Sequence, residues 1–429
     1  MIKSLAFLAL LCGIAHADSM NIPLPDGRVL HATRTRVQKS VYGESWIGAV
    51  DGQPGSLVAL GKARGATAGF VTVGAETFEI SGHRVRKAEQ VRGTIDDVLT
   101  SPVSSAPVVS DVTSAVHDLL VVYTPSSSAR YGQATLESMI LAAVAAANQA
   151  YSNSLVPITL NLVGLQEIAY VDGPSLSQSL TYLQGQNDGQ MDGVHALRDS
   201  LHADVVVLIS EDIGCGVSFL MAPESLSFSS SAFAAVYSGC LSQHTLAHEI
   251  GHLQGNMHDA ESSGGMTGAF PYSYGYRRCG VADGFRTVMA TQCTMAPRVT
   301  QFSSPEVLYN GYPTGIADQA DNARSMRQTM DTVAAFRGTD TAPPPTPSLN
   351  GTALTTTSIQ LAWTDVTGEV GYEIERLVGT YTVIASVTDP VFVDTGLVSG
   401  TQYKYRVRSF NSAGYSAYSN VVKVTTKRR

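Results

Sequence analysis

The chain has 429 residues, 44% hydrophobic and 15% charged, which is enough apolar content for packed cores and too little charge for a disordered polymer. Such a length predicts two to four domains rather than one. A net charge of −8, with no stripe of lysine or arginine, excludes a nucleic-acid footprint.

The first seventeen residues, MIKSLAFLALLCGIAHA, set one lysine before a short apolar run that ends in Ala15-His16-Ala17. This is the layout of a cleaved export signal, and it predicts a secreted protein. The run from Leu5 to Ile14 is too short to anchor in a bilayer, and no later segment reaches about 18 apolar residues, so no transmembrane span is expected. Removal of residues 1–17 takes Cys12 with it and leaves Cys215, Cys240, Cys279 and Cys293. An even count in an exported chain predicts disulfides. Three pairings are open, of which the sequence-adjacent one, Cys215–Cys240 with Cys279–Cys293, is preferred. A cysteine zinc site lacks any C-x-x-C spacing.

From Asp18 to about Arg92 the chain is glycine-rich, with alternating runs such as AGFVTV and TFEISGHRV that predict strands joined by turns. It carries no cysteine and no cluster of chemical side chains. TSPVSSAPVVSDVTS, from Thr100 to Ser114, has the composition of an exposed linker. Beyond it, strand-like and helix-like runs alternate. DLLVVYT, ITLNLVGLQEIAYV and ADVVVLIS predict strands, while TLESMILAAVAAANQAYSNS, SLSQSLTYLQ and GVHALRDSLH predict helices. The alternation predicts an α/β (α+β) domain with a mixed sheet over residues 115–338.

Within that domain, HEIGHLQGNMHD spans His248 to Asp259. Apolar Leu241, Leu246 and Ile250 predict a helix, on which His248 and His252 are i,i+4 and project from one face. Both can then reach one Zn²⁺, with Glu249 beside them as the base that accepts a proton from the attacking water. Gly255 permits the positive φ that ends the helix and returns His258 as a third ligand. Three protein ligands leave one coordination position for water, the mark of a catalytic site. His244, one turn earlier, reads as a polar residue near the helix start rather than a ligand.

Residues 339–346 form a proline-rich spacer, and 347–429 read as all-β. Trp363 on an early strand, Leu397 before a corner, and then Tyr403, Tyr405 and Val407 in alternation resemble a fibronectin type III sandwich. The resemblance implies a corner hydrogen bond from the Tyr403 hydroxyl and a surface or matrix ligand for this module.

The pattern H-E-x-x-H-x-x-G-x-x-H resembles the metzincin metallopeptidases at every fixed position, and Met289 in FRTVMA suits the methionine turn of that family. Asp259 directly after His258 resembles the reprolysin/adamalysin branch; Thr291 stands where astacin-like enzymes place a tyrosine. HDLLVVYTPSSSARYG, ADVVVLI, CGVSFL and FSSPEVLYNGYPTGIADQADNAR are similar to the bacterial peptidyl-Asp metalloendopeptidases. That resemblance implies a monomeric secreted zinc endopeptidase acting on protein or peptide substrates. It also implies an inhibitory propeptide over 18–114 and cleavage on the amino side of acidic residues. Arg298, in the stretch after Met289, is then the candidate to hold an acidic side chain, with Arg277 and Arg278 as weaker ones. No cysteine lies between Asp18 and Ser114, so a thiol cannot mask the metal in the precursor. The competing expectation is an adhesion protein built on an inactive metzincin scaffold plus the fibronectin-like module; the intact set His248, Glu249, His252 and His258 argues against it.

Overall fold

The computed structural model describes residues 18–88, 97–101, 113–338, 342–369, 371–387, 389–411 and 414–428. The expected export signal, 1–17, and most of the expected linker before Thr113 lie outside them. Most of the chain up to Arg337 forms one unit, and Gly338–Arg429 builds a second.

The chain opens with seven strands: β1 (Ser19–Pro23), β2 (Val29–Ser40), β3 (Gly43–Val50), β4 (Leu57–Ala63), β5 (Ala66–Val73), β6 (Glu76–Ser81) and β7 (Arg84–Lys87). They are ordered as they occur in sequence, so each hydrogen-bonds its chain neighbour. Side chains alternate between the two faces. Trp46, Leu60, Val71 and Phe78 share one apolar cluster. Their sequence neighbours Ile47, Ala59 and Phe70 point to the opposite face, against the next domain.

That domain is a six-stranded mixed sheet. Its members are β8 (Asp97–Thr100), β9 (Ala115–Tyr123), β10 (Ile158–Glu167), β11 (Val205–Ser210), β12 (Gly216–Leu220) and β13 (Phe233–Tyr237), in the order β10-β9-β11-β13-β12-β8. The pairs among β9, β10, β11 and β13 are parallel. Strand β12 runs antiparallel to β13. The unbroken runs LLVV and VVVLI are buried throughout, as strands covered on both faces require. Helices α1 (Pro125–Tyr131), α2 (Gln133–Asn153), α3 (Leu176–Gln184) and α4 (Gly193–Ser200) fall where the apolar periodicity predicts helix, apart from α1, a short proline-initiated turn of helix.

Helix α2 lies between the two sheets. Ala142, Ala145 and Ala146 receive Ile47, Leu57, Ala59 and Phe70 of the N-terminal sheet, while Asn148 exchanges hydrogen bonds with both backbone groups of Leu160 on β10. Small residues permit the close approach: a Cβ on Gly61 would lie 2.8 Å from the Leu141 Cβ. Strand β8 departs from the sequence expectation. The segment leading into the expected linker adds to the edge of the second sheet, pairing in parallel with β12. Four residues are too few to show a period, and the open edge of β12 supplies the partner.

After β13 a 3₁₀ turn (Ser238–Gln243) leads into α5 (Thr245–Leu253), followed by β14 (Met257–Asp259), β15 (Tyr274–Gly275), β16 (Arg277–Arg278), β17 (Phe285–Arg286), β18 (Leu308–Tyr309), β19 (Tyr312–Pro313) and α6 (Asn322–Ala334). Disulfides join Cys215 to Cys240 and Cys279 to Cys293, the preferred pairing. Among the described residues no helix is long and apolar enough to cross a membrane.

The C-terminal unit is an all-β sandwich with one three-stranded sheet, containing Ile359–Trp363, and a second sheet centred on Gly371–Val378 and Gln402–Asn411. Trp363, Tyr372, Ile374, Leu397, Tyr405 and Val407 are in its core. The Tyr403 hydroxyl accepts from the Val398 N–H at 2.8 Å, closing the expected corner.

Candidate metal centre

Helix α5 is buried along its whole length. Its i,i+4 geometry brings His248 and His252 together, and the Nε2 atoms of His248, His252 and His258 stand 3.2 Å apart in all three pairs. Three corners of a tetrahedron with metal–nitrogen bonds of about 2.0–2.1 Å are separated by about 3.3 Å. The Nδ1–H of His248 donates to the Val288 carbonyl at 2.8 Å, and that of His252 to the Asn256 carbonyl at 2.7 Å. These bonds fix the tautomer and aim the Nε2 lone pairs at one point. Burial, with nearby His252 and Arg298, holds His248 well below the usual imidazole range; burial and His258 do the same for His252. Burial also lowers His258, to about 4. Three neutral imidazoles directing lone pairs at each other are a donor set for a cation, and among the described residues this is the one histidine, cysteine or carboxylate group able to hold a metal. The set fits zinc: three nitrogen donors with a position left open.

Gly255 ends the helix with φ +84°, and a Cβ there would lie 2.6 Å from that of Ala269. The chain then returns through β14 to deliver His258. Met289 is fully buried beneath the helix, where a Cβ on Gly251 would overlap its Sδ. Asp259 joins the two parts of the site. One carboxylate oxygen accepts from the Thr291 N–H and hydroxyl at 3.0 and 2.9 Å; the other pairs with Arg277 at 3.0 Å. The loop after the third histidine is thereby tied to the turn that holds Met289.

Glu249 is fully buried and faces β12. Its Oε2 accepts from the Ser218 hydroxyl at 2.8 Å. A Cβ on Gly216 would lie 2.7 Å from its Cδ. Gly216 and Ser218 fall within CGVSFL, but no spacing in the sequence links them to Glu249, because only the fold brings β12 over α5.

Arg298 is half-buried, and its backbone forms an isolated parallel β-bridge with that of Arg286. Its Nη1 donates to the Gln243 carbonyl at 2.9 Å, and Arg286 Nη1 to the Ala290 carbonyl at 2.9 Å. Both line a cavity of about 640 Å³ with His244, Asp283 and, from the N-terminal sheet, Thr72 and Lys87. The Arg298 charge is close enough to lower His244, His248 and His258. Arg277 and Arg278 lie outside this cavity and have carboxylate partners, Asp259 and Glu261 for the first and Asp283 for the second. His244 is outside the three-histidine group; it sits buried in a left-handed conformation just before α5, its Nε2 3.3 Å from the Thr300 hydroxyl.

Residues 113–320 match the family model for Metallo-peptidase family M12B Reprolysin-like, and 343–425 match the fibronectin type III domain. The chain thus carries a reprolysin-like M12B metallopeptidase domain followed by a fibronectin type III domain. It is 40% identical over 232 residues to the peptidyl-Asp metalloendopeptidase of Stenotrophomonas maltophilia (strain R551-3), a match covering 53% of this chain and 54% of that protein. With the Xanthomonas campestris pv. campestris protein of the same name it shares 38% over 222 residues, 51% of each chain. The Pseudomonas aeruginosa protein of that name is 28% identical over 249 residues, covering 52% of this chain and 40% of the other. The chain spans about half the length of the first two relatives and less of the third.

Proposed function

We propose that this protein is a secreted zinc metalloendopeptidase. The observation that carries the reading is the convergence of the His248, His252 and His258 Nε2 atoms, 3.2 Å apart, beside a buried carboxylate on the same helix. Zinc held there would supply Lewis acidity toward a scissile carbonyl and its attacking water. Glu249 takes the proton of that water and returns it to the leaving amine nitrogen. Ser218 orients the Glu249 carboxylate, Met289 supports the helix from below, and Asp259 fixes the loop bearing the third histidine.

The reading extends to four further assignments. Residues 1–17 direct export, and residues 18–114 are a propeptide, so active enzyme begins between Asp96 and Val116. Protein and peptide substrates with an acidic residue after the scissile bond are preferred. That residue's carboxylate pairs with Arg298, helped by Arg286, since a buried carboxylate without a partner is costly. The fibronectin type III domain serves attachment to a surface or a large substrate.

The decisive experiment is Glu249→Gln with metal analysis. One zinc per chain retained, with hydrolysis of casein and peptides abolished, is the expected result. Full activity would refute the mechanism, and lost zinc would make Glu249 structural.

A further inference from the structure

We infer that the disulfide Cys215–Cys240 is a positioning element for the catalytic carboxylate. It ties the start of β12 to the turn that leads into α5, and so keeps Gly216 and Ser218 against Glu249. This rests on the peptidase reading above and concerns which residues hold that site in its working geometry.

Cys215 immediately precedes β12, and Cys240 lies in the 3₁₀ turn Ser238–Gln243 ahead of α5. Cys240 is fully buried and Cys215 half-buried. The first turn of α5 passes beside the bond. Thr245 and Glu249 are i,i+4 and share the helix face that meets Cys215 and Gly216. The Thr245 hydroxyl is 3.5 Å from Cys215 Sγ. A Cβ on Gly216 would lie 2.7 Å from Thr245 Cγ2 and would overlap Glu249 Oε1. Two residues further along β12, the Ser218 hydroxyl donates to Glu249 Oε2 at 2.8 Å. A ring is thereby closed. It runs from Glu249 back along α5 and the turn to Cys240, across the disulfide to Cys215, and along β12 to Ser218.

Both ends of this ring need the tie. Strand β12 pairs with β13 over Gly216–Ser218, while β8 joins it from Val217 onward. Just ahead of the strand, Gly214 takes φ +133° and Ile213 is exposed, so the approach to Gly216 is a loop rather than a ladder. On the other element, His244 precedes α5 in a left-handed conformation and makes no side-chain cap. An uncapped first turn leaves backbone N–H groups without helical partners and frays readily. A disulfide that only restricts the unfolded chain changes stability alone. One that fixes a reacting group changes turnover, since an ångström of misplacement slows the chemical step about 100-fold. The metal ligands are held separately: His248 and His252 donate to the Val288 and Asn256 carbonyls, so opening the bond leaves their Nε2 atoms aimed as before.

The test is the double variant Cys215→Ala/Cys240→Ala of the zinc-loaded enzyme, measured beside the intact protein. On a short fluorogenic peptide kcat is expected to fall about 10-fold or more, with KM within about 2-fold and zinc content unchanged. Adding Ser218→Ala to this variant should cost less than about 3-fold, well below its cost in the intact protein, because both changes open one ring. Hydrogen exchange of the Gly216–Leu220 amides should rise. Should the double variant not fold, the bond is opened in the folded Cys279→Ala/Cys293→Ala protein with a phosphine. The phosphine takes oxygen from water, becomes its oxide and leaves two thiols. The same fall in kcat is expected there, reversed when a disulfide oxidant re-forms the bond. Unchanged kcat, loss of zinc, or a Ser218→Ala effect as large as in the intact protein overturns the positioning role and leaves the peptidase reading standing. If exchange in β12 rises while the intact, zinc-bound chain hydrolyses no peptide, the tie between β12 and α5 holds and the peptidase reading fails.

Discussion

The Ser218 hydroxyl on β12 donates to Glu249 Oε2 on α5 at 2.8 Å, so the edge strand holds the carboxylate that the active-site helix presents. Both residues are fully buried. A hydrogen bond to a charged group contributes about 1.5–3 kcal/mol. Ser218→Ala should lower kcat by about 10- to 100-fold with KM and zinc content unchanged, and Ser218→Thr should recover part of the loss. An unaltered kcat in the alanine variant, or a loss confined to KM, would remove Ser218 from the site.

Gly216 offers a complementary prediction on the same strand. A methyl group there would meet the Glu249 Cδ and the Thr245 Cγ2, each at 2.7 Å. Because the site is closed around them, the carboxylate must move. Gly216→Ala should cut kcat by about 100-fold, the usual consequence of misplacing a reacting group by an ångström, and should destabilise the fold by about 1–3 kcal/mol through overpacking. Steady-state kinetics and thermal unfolding would check the two effects separately.

How far the sequence reveals this site depends on how local each relationship is. His248, Glu249 and His252 are one helical turn apart, and Gly255 with His258 follows within six residues, so spacing alone locates them. Tyr403 and its corner bond to Val398 are local in the same way. Ser218 lies 31 residues before Glu249 and Thr291 lies 32 after Asp259, and a serine or threonine at such a separation has no pattern to mark it. Strand β8 escaped for a different reason. Its four residues border a Ser/Pro/Val-rich stretch, and what makes them a strand is the open edge of β12 rather than a propensity of their own. The N-terminal strands were visible from their alternation, but their docking on α2 depends on Gly61 and three alanines whose role appears only when the helix lies across the sheet.

A buried histidine away from the metal centre predicts acid sensitivity. His117 is fully buried; its Nε2–H donates to the Met330 carbonyl at 2.9 Å and its Nδ1 accepts from Gln254 at 3.0 Å. Burial lowers its pKa from 6.5 to about 4. Above pH 6.5 the imidazole is neutral in both folded and unfolded chains and has no effect on the pH dependence. Between pH 6.5 and about 4 the unfolded chain takes up the proton first, so stability falls as the pH drops, by up to roughly 3 kcal/mol. Denaturant unfolding at several pH values should show this loss, and His117→Gln should make the slope shallower over that interval. Identical slopes in the two proteins would contradict the assignment.

The final prediction concerns the residue after the scissile bond. The backbones of Arg298 and Arg286 form an isolated parallel β-bridge and both residues line one cavity, and Arg298 is close enough to depress His248 and His258. Each guanidinium donates to a backbone carbonyl, Gln243 for Arg298 and Ala290 for Arg286. A guanidinium can meet a carboxylate with parallel hydrogen bonds. Arg277 and Arg278 are poorer choices because neither lines that cavity. Profiling a peptide library should therefore show a preference for Asp or Glu after the cleaved bond. Arg298→Ala should reduce the acidic-to-neutral ratio of kcat/KM by about 10- to 100-fold, as expected for loss of a charge-assisted bond of roughly 1.5–3 kcal/mol. Arg286→Ala should cause a smaller reduction in the same direction, and cleavage of neutral peptides should persist in both. Wild-type enzyme indifferent to acidic residues would end the specificity proposal, whereas an acidic preference that survives Arg298→Ala would move it to another cation.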